Sequence, residues 1–233
     1  MQDLYSFFDF EPGASSILYP SNNDIKRVKN PRFPKEVNFI KHQAVWEYRV
    51  FWPCDADPIS LKLSFMSLPS FDNFHSSILD DVYILVDHKP LNLKIRQGKL
   101  VYKPVIEQEQ GMLACGQKIK FTFPLKWSKI YALFPRLEFS TKFCPDLSHF
   151  LAHLHHYGYF AQLIGFQKKV YRCKLGPALQ LEISQFDIKN QRWFSLCIES
   201  KNYNLIKQET EKLKNNKGFV MGYIEFLEKY GRL

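Results

Sequence analysis

LNLKIRQGKLVYK, residues 91–103, alternates without a slip: Asn92, Lys94 and Arg96 fall on one face of an extended chain, and Leu93 and Ile95 on the other. Gln97-Gly98 is a two-residue turn, after which Lys99, Val101 and Lys103 oppose Leu100 and Tyr102. The stretch therefore predicts a hairpin with one cationic face. Like charges facing each other on neighbouring strands repel, so a one-sign face suggests an anion between them. An ordinary surface hairpin, with lysines guarding an edge strand, gives the same pattern, and these residues alone leave both readings open.

Outward from the hairpin the same periodicity recurs. Towards the N-terminus, DVYILV (residues 81–86) is a strand, and AVWEYRVF (residues 44–51) sets Val45, Glu47, Arg49 and Phe51 opposite Trp46, Tyr48 and Val50. The segment 59–68 is a short helix or strand ended by Pro69. Towards the C-terminus, residues 113–123 are a strand in which Lys118 and Lys120 share a face. Pro124 opens a short helix, 125–134, that packs Trp127, Ile130, Tyr131 and Phe134. Asp146 caps a helix ending near Tyr157, and Gly158 stops it. Its His149, His153 and His156 lack the glutamate of an HExxH zinc motif and read as a solvated face. The strand 159–175 carries a second cationic face, with Lys168, Val170, Arg172 and Lys174 opposite Lys169, Tyr171 and Cys173. Strands 178–186 and 193–200 and helices 203–214 and 219–230 complete the chain.

Composition agrees with this pattern. The chain of 233 residues is 45% hydrophobic, enough for one sizeable core, and its 21 Phe suit a packed β-rich globule. A net charge of +9 favours anionic partners, and the cations sit inside strands rather than in a basic tail. Five widely spaced Cys without a CxxC pair argue against a disulfide framework or a cysteine zinc site, and fit a reducing compartment. With no signal-peptide pattern at the start and no apolar run of spanning length, the expected location is cytoplasmic and no membrane partner is expected. Residues 1–40, rich in proline and opening on Tyr5, Phe7, Phe8 and Phe10, read as a flexible or surface-wrapping extension. Those aromatic residues could dock on a protein partner. Residues 41–233 form the folded domain.

The order WEYRV, DVYIL, LNLKIRQGKLVYK, KKVYR, LQLEIS, WFSLCIES and GYIEFLEKY resembles the CYTH-like, or triphosphate tunnel, superfamily, in the manner of uncharacterised bacterial CYTH-like proteins, over about residues 44–230. The resemblance implies an α+β fold: a mostly antiparallel, closed, eight-stranded β-barrel with flanking helices and a polar lumen. It implies that the lumen binds a triphosphate, polyphosphate or nucleotide anion, with Mg²⁺ or Mn²⁺ as cofactor. Residue by residue, Glu47 and Arg49 match the second acid and the base of the family's ExExK, with Val45 in place of the first acid. Lys94 and Arg96 match the basic-x-basic strand, Lys103 the lysine after the turn, and Arg172, with Lys168 or Lys169, the later basic strand. Glu199 matches the second acid of the late ExE pair, whose first acid is replaced by Cys197, and Glu182 falls near an acidic position.

The roles implied are phosphate binding for Arg49, Lys94, Arg96, Lys103, Lys168 and Arg172, metal binding for Glu47, Glu182 and Glu199, and catalysis for Glu47 and Glu199. With two carboxylates of the pattern missing, two functions compete: a divalent-metal-dependent triphosphatase-type phosphohydrolase, and a non-catalytic polyanion-sensing or protein-interaction module. Nucleic acid is disfavoured, since the sequence holds no RNP signature, GXXG loop or zinc knuckle in a supporting position.

Overall fold

The computed structural model describes residues 44–53, 73–138, 142–211, 213 and 218–232, all within the unit Pro34–Leu233. The expected extension 1–40 and segment 59–68 lie outside the described residues. Among the described residues there are thirteen strands: β1 (Val45–Pro53), β2 (His75–Val86), β3 (Leu93–Arg96), β4 (Lys99–Tyr102), β5 (Val105–Glu109), β6 (Met112–Cys115), β7 (Ile119–Phe121), β8 (Leu125–Lys126), β9 (Phe143–Cys144), β10 (Ala161–Lys174), β11 (Leu179–Ile188), β12 (Gln191–Ser200) and β13 (Phe219–Val220). Three helices accompany them: α1 (Leu147–His156), α2 (Tyr203–Glu211) and α3 (Tyr223–Tyr230). No helix among the described residues is long and apolar enough to cross a membrane.

Eleven strands form one curled antiparallel sheet in the order β5-β6-β1-β12-β11-β10-β2-β3-β4-β7, with β13 branching from β1. The expected closed eight-stranded barrel is corrected in both respects: the hydrogen-bonded sheet is open, and it has more strands. Proline is the reason for the first break. Pro104 has no N–H to donate, so the chain that would run straight from Lys99 to Glu109 is divided into β4 and β5. Its antiparallel neighbour breaks opposite, between Cys115 and Ile119, which turns the single strand expected over 113–123 into β6 and β7. Two backbone bonds span the gap, Lys103 N to Asn92 O and Gly116 N to Pro104 O, both 2.9 Å.

The hairpin at 91–103 forms in the expected register, with Leu93↔Tyr102 and Arg96↔Lys99 paired. Its turn puts Gln97 at φ 51° and Gly98 at φ 68°, the left-handed pair that matches the twist of the flanking strands. Leu93 and Leu100, on its apolar face, are wholly buried in a cluster with Phe134, Phe150 and Leu154. Asp146 caps α1 as expected, its Oδ1 accepting from His149 N at 2.8 Å. Among the histidines, His153 lies against the Trp127 ring, centroids 4.5 Å apart.

Two helix expectations change. Residues 125–134 form β8, then a 3-10 turn at Trp127–Lys129. Beyond it, bonds of Leu133 N to Ile130 O and Phe134 N to Tyr131 O continue the tight winding. Leu125 and Lys126 are held extended by pairing with Cys144 and Phe143, so the chain enters the segment as a strand, and Tyr131 stays 37% exposed. Over 219–230, the first two residues pair with β1 and the helix begins only after Gly222. α3 lays Tyr223, Ile224, Phe226 and Leu227 into an aromatic cluster with Phe51, Phe166, Phe186 and Trp193. Phe226 is fully buried and stacks on Phe51 at 4.1 Å. Phe226→Ala is expected to cost about 3–5 kcal/mol, read as a lowered urea midpoint. A cost below about 1 kcal/mol would show that α3 is not anchored there.

Candidate functional site

The concave face of the sheet is layered, because side chains two residues apart on each strand share that face. At the floor lie the rings of Phe51, Phe166, Phe186, Trp193 and Tyr223. Above them, Ser184 and Ser195 stand opposite each other on β11 and β12 with hydroxyls 2.7 Å apart, and Ser184 reaches the Tyr223 hydroxyl at 3.1 Å. The next row is continuous over four strands: Arg172 pairs with Glu182, Glu182 with Cys197, and Cys197 with Arg49. One layer further out, Glu47 on β1 faces Glu199 on β12. Sequence periodicity finds these rows because each strand contributes alternate residues to one side.

All nine residues singled out from the sequence line one cavity, which with its mouth encloses about 500 Å³. The β1, β11 and β12 rows bring in Glu47, Arg49, Glu182 and Glu199; β3 adds Lys94 and Arg96, β10 adds Lys168 and Arg172, and Lys103 enters from the break after β4. Lys99 and Lys174, on the same strand faces, are exposed instead. Sequence reading placed Asn92 and Lys118 only on strand faces, and it missed Tyr83 as a wall residue. It also missed Tyr223, which α3 delivers from far along the chain, and Asp81 behind the wall.

The cations are held by internal carboxylates. Glu182 bridges two arginines: its Oε1 accepts from Arg49 at 3.2 and 3.3 Å, and its Oε2 accepts from Arg172 at 2.8 and 2.9 Å. Asp81 serves three cations, accepting two bonds of 2.5 Å from Arg96 and one of 3.0 Å from Lys94, with Lys168 Nζ at 3.4 Å. Lys103 is ion-paired with Glu47. Arg49 and Lys168 both lie over the Tyr223 ring, 4.4 and 4.5 Å from its centroid.

Burial opposes ionisation of Asp81 and Glu182, yet the bond from Arg96 and the charges of Lys94 and Lys168 hold Asp81 well below the usual carboxylate range. Arg49, Lys168 and Arg172 do the same for Glu182. Burial, reinforced by repulsion from Lys168, lowers Lys94 to about 7, with Asp81 opposing the fall. Seven cationic side chains thus meet three lining carboxylates and Asp81, a formal excess of three positive charges that is complete only below about pH 7, where Lys94 is protonated.

Among the described residues, one group has the donors for a metal: Glu47, Cys197 and Glu199, whose ligand atoms lie within 4.8 Å of one another. Glu182, expected as a third metal carboxylate, is taken up by Arg49 and Arg172 and is not in this group. Burial pushes the Cys197 thiol up to about 12, so it stays protonated and is no ligand for a hard cation. Two carboxylates remain. Mg²⁺ commonly uses one or two protein carboxylates, so Glu199, and Glu47 once it gives up Lys103, have the donor chemistry for Mg²⁺ or Mn²⁺.

No protein-family profile and no curated protein matches the chain. Several solved structures are similar in shape. HpAC1 from Hippeastrum, a candidate adenylyl cyclase whose structure is described as revealing a dominant triphosphatase activity, matches with a TM-score of 0.42 and 12% identity over 81% of this chain and 97% of its own. PH1819 from Pyrococcus horikoshii OT3 matches at 0.40 and 14% over 78% and 98%. A candidate adenylate cyclase (bh2851) from Bacillus halodurans matches at 0.40 and 8% over 77% and 96%.

Proposed function

We propose that this chain binds a triphosphate- or polyphosphate-type anion, as the free anion or the phosphate tail of a nucleotide, in the concave basin of a triphosphate-tunnel-like sheet. The observation that carries this is the formal excess of three positive charges among the seven cationic side chains that line one cavity. Charge of that density in a low-dielectric pocket strengthens every bond to a phosphate oxygen. Arg49, Arg96 and Arg172 offer planar forks for pairs of phosphate oxygens, and Lys94, Lys103 and Lys168 act as point charges between them. Asn92 contributes a neutral donor at the wall.

A second reading adds hydrolysis, and Glu47 facing Glu199 at the outer layer is what favours it. A divalent ion held by these two carboxylates and the phosphates would supply charge neutralisation at the reacting oxygens. The chain's own residues would do the rest: the cations orient the phosphate chain, and Glu47 or Glu199 accepts a proton from water aligned with the terminal phosphorus. The two readings share a binding step and differ only in turnover.

Thermal unfolding with inorganic tripolyphosphate, with and without Mg²⁺ or Mn²⁺ and with phosphate release followed in the same wells, tests both. Saturation to about 100 times Kd stabilises by roughly 2.7 kcal/mol, a rise in Tm of about 5–10 °C for a chain of this size. The rise is expected to disappear in Lys94→Ala/Arg96→Ala. A shift without release establishes the binding module. A shift with metal-dependent release establishes the phosphohydrolase. No shift with tripolyphosphate, long-chain polyphosphate or ATP overturns the anion reading.

A further inference from the structure

We propose that Asp81 is a positioning residue of the anion basin: its buried carboxylate gathers the heads of Lys94, Arg96 and Lys168 and keeps all three aimed into the cavity. The inference rests on the anion reading above. It concerns a group that is not part of the cavity wall.

Asp81 lies on β2, its side chain wholly shielded from solvent, while Lys94 and Arg96 come from β3 and Lys168 from β10, the two strands that flank β2 in the sheet. Arg96 grips it with a fork, Nε on Oδ1 and Nη2 on Oδ2, each 2.5 Å, and Lys94 Nζ adds a bond to Oδ2 of 3.0 Å. Lys168 approaches the same Oδ2 at 3.4 Å. The remaining surroundings come from other elements and leave the heads few alternatives. Tyr83 of β2 accepts a second bond from Lys94 at 3.2 Å, and Tyr223 of α3 lies beneath Lys168. Glu182 of β11 and Arg49 of β1 form the neighbouring row, bonded to each other. Three cations converging in a shielded place would repel one another and swing outward, or shed a proton, without a counter-charge. Because Asp81 sits behind the heads, it can supply that charge while the outward donors of Lys94, Arg96 and Lys168 remain free for a phosphate.

A carboxylate that merely competes with the anion predicts the opposite sign. Removing a competitor raises the net positive charge and tightens binding. Removing an organiser lets the most easily discharged cation lose its proton. That cation is Lys94, whose burial already favours the neutral amine and which Asp81 holds charged. In Asp81→Asn, binding is therefore expected to fail first at higher pH.

The test has two arms on the full chain. Tripolyphosphate affinity, by calorimetry at pH 6 and pH 8, is compared between wild type and Asp81→Asn at each pH, which cancels the ligand's own titration. The variant is expected to bind within about threefold of wild type at pH 6 and at least about tenfold more weakly at pH 8. In the unliganded protein, NMR of ¹³C-labelled lysine is expected to show the Lys94 midpoint lower in Asp81→Asn than in wild type. Tighter binding at both values overturns the proposal, as does equal weakening at both or an unmoved midpoint. Should Asp81→Asn fail to fold, Asp81→Glu decides, because it keeps the counter-charge but displaces it from the three heads. That variant is expected to bind tripolyphosphate at least about fivefold more weakly than wild type at both pH 6 and pH 8, and an unchanged affinity overturns the proposal. If wild type itself binds no tripolyphosphate, the anion reading has failed, and the lysine midpoints still judge Asp81.

Discussion

Glu182→Ala is expected to cost about 3–5 kcal/mol of stability, and tripolyphosphate is expected to restore a large part of it. Glu182 is 6% exposed and Arg49 7% exposed, so the substitution strands a buried guanidinium. Ser195 Oγ, 3.0 Å from Arg49 Nη1, is its one remaining hydrogen-bond acceptor among the described residues, and a hydroxyl does not neutralise charge. Arg172, a third exposed, can turn to solvent and loses less. The stranded Arg49 then favours any anion able to take the place of the carboxylate. Linkage follows: tripolyphosphate at fixed concentration should raise the urea midpoint of Glu182→Ala more than that of wild type. A loss of less than about 1 kcal/mol would mean Arg49 finds solvent after all. An equal ligand gain in both proteins would mean the anion does not reach this row.

Much of the basin was legible because it is written in period 2. Glu47 and Arg49 are two apart on one strand, as are Lys94 and Arg96 on another, and once each strand has a buried outer face the alternate set must point inward. Asp81 was not legible by that route. It follows Asp80 directly, and either could have been the inward member. Long-range pairing decides: Asp80 is hydrogen-bonded by Gln167 on the outside, while Asp81 falls among the cations of β3 and β10. Tyr223 was hidden for another reason, since the 3.6-residue pattern of α3 identifies a buried stripe but not that its first ring floors a charged basin. The open sheet turns on Pro104. The missing N–H is visible in the sequence, but its effect depends on a partner strand breaking at the same level, between Cys115 and Ile119. Cys197 shows the converse. It was legible as a lost acid, and the structure adds that the vacated position is filled by a protonated thiol beside Arg49.

Stability is expected to fall steeply in acid and to rise again above neutrality, for opposite reasons within the same basin. Asp81 and Glu182 both have folded pKa values lowered below their ordinary ones of 3.8 and 4.5. The folded state then holds fewer protons than the unfolded chain through the acid range. Each carboxylate's contribution is complete above the unfolded value and is lost as pH falls through it towards the folded one. By linkage the urea midpoint should therefore drop below about pH 4.5. Lys94 is displaced in the other sense, to about 7 from an ordinary 10.5. Between those values the unfolded chain binds the extra proton, so this group makes stability climb from about pH 7 until, near the ordinary thiol value of 9.0, the buried thiols of Cys115, Cys144, Cys173 and Cys197, all held protonated by burial, turn the curve down. Lys94→Met should remove the climb above pH 7 and leave the acid limb, whereas Glu182→Gln should remove only its own share of the acid limb, leaving that of Asp81 and the climb. A wild-type curve level from pH 3 to about pH 8 would show that the cations and carboxylates of the basin are not paired in the folded protein as they are here. An alkaline climb that survives in Lys94→Met would place the displaced proton on some other group.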